Sequence, residues 1–187
     1  MTFSQRLARG VLWLCGWKLL DLVERPKKAV VVAYPHTSNW DFPWAVLGLM
    51  ALGFTPRWAG KDTMFKGWRG PLMRALGGIA VNRRERTGFV GRMVEEFPRH
   101  DEFLVTIAPE GTRKLTKGWK SGFYRIAIDA KVPVVAATID YPKREVGFIA
   151  NVTLSGDEAA DMAILAQAYG GRRGHTDRNT SPIQLIK

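Results

Sequence analysis

The chain has 187 residues, enough for one domain with a substantial core. Its 46% apolar content argues against disorder, and its single cysteine, Cys15, excludes an intrachain disulfide or a cysteine-based metal site. Lys and Arg number 28 against 17 Asp and Glu, and the net charge of +11 calls for a polyanionic partner: nucleic acid, anionic lipid headgroups or a phosphorylated substrate.

Taken from the N-terminus, residues 3–24 read as a helix lying on a membrane surface, with Arg6, Arg9 and Lys18 reaching toward headgroups. The alternative is a helix packed on the domain core. The apolar run Val11–Trp17 is broken by Lys18, and a spanning helix needs about 20 apolar residues. No small-x-small cleavage site follows it, so a signal peptide is not expected. Arg25-Pro26-Lys27-Lys28 closes this first segment, residues 1–25, and residues 26–187 read as one domain.

Within that domain Ala29–Tyr34 is a β-branched run fitting a buried strand. Residues 40–52 read as a helix with Pro43 in its first turn and Gly53 at its end. Arg57–Gly60 reads as a strand, followed by a basic, Trp-containing stretch from Lys61 to Arg74 and a helix ending near Gly77. Strands are expected at Ile79–Asn82, Phe103–Ala108, Pro133–Ile139 and Gly147–Leu154, with helices over 88–97, Ser121–Ala130 and Asp157–Ala168. The Gly- and Arg-rich stretch Gly170–His175 reads as a mobile tail. This alternation predicts an α/β fold, a mixed and largely parallel sheet flanked by helices. Sites in such folds form where strands end and helices begin.

Two polar clusters follow strands. In Tyr34-Pro35-His36-Thr37-Ser38-Asn39-Trp40-Asp41, a histidine precedes a carboxylate by five residues. A neutral imidazole near its ordinary pKa can take a hydroxyl proton, and a carboxylate at its other nitrogen fixes the tautomer. The alternative is that Asp41 merely caps the helix and His36 is a loop residue. The second cluster is Pro109-Glu110-Gly111-Thr112-Arg113. Its backbone N–H groups can face an anion, Gly111 permits close approach, and Arg113 can grip a phosphate. Here the alternative is a structural turn with a Glu110–Arg113 ion pair. Arg83, at the end of another strand, is a candidate second cation. Lys114, Lys117 and Lys120, with Trp119, form a basic loop fit for a bilayer or for a donor's phosphopantetheine arm. Ser38 beside His36 leaves a serine hydrolase as a less favoured option. The three histidines show no zinc-ligand spacing.

Together these clusters resemble the glycerolipid acyltransferase family, which includes lysophosphatidic acid acyltransferases. His36 and Asp41 match its His-x-x-x-x-Asp block. Gly77 to Arg83 is similar to Gly-x-x-Phe-Ile-x-Arg, with Ala80 and Val81 at the Phe and Ile places. Pro109 to Arg113 matches Phe-Pro-Glu-Gly-Thr-Arg, with Ala108 for Phe, and Val132-Pro133-Val134-Val135 is similar to the fourth block, with Ala136 for its second Pro. The blocks span residues 29 to 140, and Pro35 stands where members often have Asn.

The resemblance implies that His36 is the base and Asp41 its partner. It implies that Arg83, Glu110, Gly111, Thr112 and Arg113 bind the acceptor, chiefly its phosphate. The implied reaction moves a fatty acyl group from acyl-CoA or acyl-carrier protein to the hydroxyl of a lysophospholipid-like acceptor, 1-acylglycerol-3-phosphate foremost. No metal or redox cofactor is implied, and no nucleic-acid partner is expected. The expected place is the cytoplasmic face of the cell membrane, on an anionic surface. The alternative from another class is a non-catalytic, peripheral binder of anionic lipid.

Overall fold

Ala29-Val30-Val31-Val32 has no exposed surface at all, which places this strand at the centre of a sheet covered on both faces. The computed structural model describes the chain except Arg25, Thr55, Pro56, 82–85 and Lys187, with only the backbone of Arg86 and Thr87. In chain order the elements are α1 (Phe3–Leu14), β1 (Lys18–Asp21), β2 (Lys28–Ala33), α2 (Asp41–Leu52), β3 (Trp58–Lys61), α3 (Arg69–Ala75), β4 (Gly78–Val81) and α4 (Arg86–Arg99). Then follow β5 (Phe103–Ile107), β6 (Trp119–Lys120), α5 (Gly122–Asp129), β7 (Val134–Asp140), β8 (Glu145–Val152), α6 (Glu158–Tyr169) and β9 (Leu185–Ile186). A short 3-10 turn, Asp62–Phe65, lies between β3 and α3.

The main sheet has strand order β1-β8-β7-β2-β5-β3-β4. The strands β7, β2, β5, β3 and β4 run parallel, and β8 returns antiparallel to β7 with β1 parallel beside it. The carboxyl ends of five strands therefore share one edge, and the loops after β7, β2 and β5 are neighbours there. Side chains alternate across β2: Val30 and Val32 join Phe89, Phe97, Phe123, Ile126 and Leu165 of α4, α5 and α6 on one face. Ala29 and Val31 meet Leu49 and Leu52 of α2 on the other.

The N-terminal segment differs from expectation. The helix expected over 3–24 ends at Leu14, after which Gly16 takes a positive φ of 73° and reverses the chain. Lys18–Asp21 then pairs with Glu145–Phe148, so the second half of the segment is a strand of the sheet. Its apolar residues serve a sheet edge, which a helical pattern search misreads. Helix α1 starts with a reciprocal Thr2–Gln5 cap and buries Ala8 and Leu12. It lies against α2, with the Arg9 Nε donating to the Ala51 carbonyl at 3.0 Å. Phe3, Leu7, Trp13 and Leu14 remain exposed. Among the described residues, no helix is long and apolar enough to cross a membrane.

The stretch expected to be a mobile tail is bound. Arg172 reaches Glu145 at 2.9 Å and Asp140 at 3.7 Å, and the Tyr141 N–H donates to the Arg173 carbonyl. Composition alone made this segment look loose; its partners come from distant parts of the sequence.

Candidate active site

His36 stands three residues beyond the end of β2, after a cis Tyr34–Pro35 peptide bond, and Asp41 opens α2. The chain folds tightly enough between them that the His36 Nδ1 lies 3.1 Å from the Asp41 Oδ2. The same oxygen accepts from the backbone N–H groups of Thr37 and Ser38, at 2.7 and 2.9 Å. The other oxygen, Oδ1, accepts the Tyr141 hydroxyl at 2.9 Å. Asp41 is only 2% exposed, so its charge is compensated by donors rather than by water. It serves the loop before the helix, and no side-chain cap bond forms at this helix start. The plain-cap alternative is therefore not what the geometry shows.

With a carboxylate at Nδ1, the imidazole proton belongs on that nitrogen, and Nε2 carries the lone pair. Nε2 has no hydrogen-bond partner among the described residues, and the ring is about a quarter exposed. An imidazole held in this way leaves Nε2 open to a partner from solution.

Glu110 follows β5, the neighbour of β2, and is 1% exposed. Its Oε2 accepts the His36 backbone N–H at 2.7 Å and its Oε1 the Ser181 N–H at 3.2 Å. Burial pushes its carboxyl above the usual range, while those two hydrogen bonds pull the other way. The Glu110–Arg113 ion pair of the structural-turn alternative does not form: Glu110 points inward and locks the histidine loop to the C-terminal segment. Gly111 has a positive φ of 65°, and a β-carbon there would come within 2.7 Å of the Lys120 Nζ. Thr112 closes a local turn, its hydroxyl 3.4 Å from the Lys114 N–H. Arg113 is exposed; its carbonyl accepts from the Asn179 side chain at 2.9 Å, and its guanidinium has no carboxylate partner among the described residues. Arg83 lies outside the described residues. Trp119, expected on the basic loop, is instead fully buried against Tyr34 and Phe123, while the lysines of that loop and Leu115 face outward.

Several supporting residues carried no signal in the sequence. Tyr141 follows β7, the other neighbour of β2, and is wedged between the edges of Trp17 and His175 at 5.3 and 5.0 Å. Burial first, then the Asp41 charge and hydrogen bond, push its hydroxyl pKa well upward, so it stays a donor. The Thr37 hydroxyl accepts from the Thr176 N–H at 3.1 Å. Tyr34, raised to about 12 chiefly by burial and then by the charges of Glu110 and Asp177, donates to the Ser181 carbonyl at 2.8 Å. Only the knowledge that β7 adjoins β2 would have singled out Tyr141. Under the loop, an apolar seam between α2 and the sheet is lined by Ala33, Ala45, Leu49, Thr106, Thr138 and Phe148. Among the described residues, no three His, Cys, Asp or Glu side chains are grouped to hold a metal ion.

The acyltransferase family model matches residues 19–140, which includes both clusters and the strands that carry them. The chain belongs to the acyltransferase family. The enzyme's fold is also similar to the 1-acyl-sn-glycerophosphate acyltransferase PlsC from Thermotoga maritima, with a TM-score of 0.59 and 16% identity over 90% of this chain and 76% of that one. None of the curated proteins matches the acyltransferase in sequence. Family membership sets aside the non-catalytic lipid-binding alternative. His36–Asp41 and Glu110–Arg113 thus lie on adjacent loops of an acyltransferase domain, at the carboxyl edge of its sheet.

Proposed function

We propose that this acyltransferase esterifies the hydroxyl of a lysophospholipid-like acceptor, 1-acylglycerol-3-phosphate foremost, using acyl-CoA or acyl-carrier protein as donor. The observation that carries this reading is the His36 ring, held at Nδ1 by Asp41 and open at Nε2, one strand away from the exposed Arg113 loop. The acceptor hydroxyl oxygen attacks the thioester carbonyl carbon as its proton passes to the His36 Nε2. The C–S bond of the tetrahedral adduct then breaks, and the leaving thiolate takes the proton back from the imidazolium. No covalent enzyme intermediate arises, and no metal or redox cofactor is required, because a neutral imidazole accepts the proton. Asp41 holds the ring and offsets the imidazolium charge. Arg113, assisted by Arg83, meets the acceptor phosphate with charge-assisted hydrogen bonds. Gly111 and Thr112 shape the loop that presents Arg113, and Glu110 acts from behind by fixing the His36 backbone.

The reaction takes place at the cytoplasmic face of the cell membrane. Helix α1 supports this: Phe3, Leu7 and Leu14 lie close to one face of it and remain outside the core. The net charge of +11 suits an anionic leaflet. The test is thiol release from an acyl thioester with a panel of lysolipids, alongside mass spectrometry of lipids from cells making the wild type or His36→Ala. Ester product from the wild type alone is expected. Equal product from both proteins would end this mechanism.

A further inference from the structure

Helix α1 is not the only apolar feature turned outward. The segment from Lys61 to Arg74 leaves the carboxyl end of β3, on the same sheet edge as His36. One of its large side chains, Phe65, is buried and stacks on Trp58 at 5.7 Å, which anchors the segment. Three others point away from the core: Met64 is 37% exposed, Trp68 79% and Leu72 51%. They recur every fourth residue, and Trp68 and Leu72 lie one turn apart at the start of α3, on a shared face. Lys61, Lys66 and Arg69 are exposed among them, and Asp62 is the segment's only acid. The Arg69 guanidinium lies 5.2 Å over the Trp68 ring.

We propose that this corner, from Met64 to Leu72, is a second membrane seat that lies on an anionic bilayer. Its place is informative. The site is over β7, β2 and β5; α1 leans on α2, toward the β1 end of the sheet order, and this corner joins β3 to β4 at the other end. Trp17, just past α1, stacks on Trp44 and meets Tyr141, so the exposed Trp13 and Leu14 also reach the carboxyl edge. Trp40, 62% exposed, stands between the two flanks in the His36 loop itself. A bilayer touching both flanks faces the mouth of the site, and a lysolipid need only rise a short way from the leaflet. Indole with an adjacent guanidinium, backed by aliphatic side chains, is the composition that favours the headgroup boundary. An acidic carrier protein would engage the cations but would leave Met64, Trp68 and Leu72 without a reason to be exposed. The use of the seat rests on the lipid-acceptor reading; its existence does not.

Flotation of the full chain with vesicles of phosphatidylglycerol and phosphatidylcholine, and with phosphatidylcholine alone, tests the seat. Two double variants are compared with the wild type, Trp68→Ser with Leu72→Ser and Lys66→Glu with Arg69→Glu, after thermal melts show wild-type folding. Both are expected to partition at least roughly tenfold more weakly onto the anionic vesicles. Turnover of a short-chain lysolipid monomeric in water is expected to be unchanged, while turnover of the vesicle-embedded acceptor falls. Wild-type flotation of the Trp68 and Leu72 variant overturns the proposal. So does lost turnover of the monomeric acceptor with normal flotation, which would make the corner part of the substrate pocket. A charge-reversal effect confined to a carrier-protein donor would assign it to protein docking and overturn it as well. If the wild type transfers no acyl group to any lysolipid and yet both variants lose flotation, the seat stands and the acceptor reading falls.

Discussion

The acids and the bases of the site are treated in opposite ways. The carboxylates Asp41 and Glu110 are almost wholly buried, and each has both oxygens occupied by donors from elsewhere in the chain. Arg113, Lys114 and Lys117 stand exposed on the same loop as Glu110. A buried anion without donors costs several kcal/mol, so the first group had to be fixed when the protein folded. An exposed guanidinium costs little to leave open until an anion arrives. In the proposed mechanism, the difference separates a preorganised proton-handling half from a binding half that is completed by its ligand.

The strongest way to break that division is His36→Ala. It should lower kcat by about 10²–10⁴-fold, the usual worth of a general base, and leave the melting temperature close to wild type. A residual activity within a few-fold would place the base elsewhere. Glu110→Gln tests whether the buried half is structural. An amide NH2 now faces one of two backbone N–H groups, so unfolding free energy should fall by about 1–3 kcal/mol in denaturant titrations. The pH dependence sharpens this. Because burial raises the Glu110 pKa, the folded state holds its proton more tightly than the unfolded chain does. Stability should therefore fall as pH rises from the ordinary carboxylate pKa through the raised value, and Glu110→Gln should flatten that slope.

Arg113→Ala probes the open half. It should raise the acceptor KM by roughly 30-fold with little change in kcat or stability. A kcat loss with unchanged KM would show that Arg113 acts on the transition state alone. Tyr141→Phe has the smallest expected effect, about a tenfold loss of kcat from one charge-assisted hydrogen bond. Without its hydroxyl one Asp41 oxygen loses its donor, and the carboxylate is less firmly placed beside the ring. A kcat within a factor of about two of wild type would reduce Tyr141 to packing.

Much of this was readable before any coordinates. The β-branched run before His36 fitted a buried strand, and the strand and helix alternation argued for a mixed, largely parallel sheet with sites at the strand ends. The two motifs sit there because strand ends are where a backbone turns and polar side chains gather. Lys18–Asp21 was not readable: four residues after a helix gain their strand identity only from Glu145–Phe148, far along the chain. Nor was the stretch Gly170–His175, whose glycines and arginines suggested mobility but whose Arg172 is tied to Asp140 and Glu145. That Glu110 turns inward, away from Arg113, was not readable either, since spacing along a loop does not say which side chain is buried.

The sequence by itself determined the chemistry on offer, because residue type and local spacing fix which groups can trade protons and which can grip anions. The tertiary structure alone decided which of them support and which receive. Burial and long-range strand order set that outcome: the order β7-β2-β5 brings Tyr141, His36 and Glu110 together from three distant stretches of the chain.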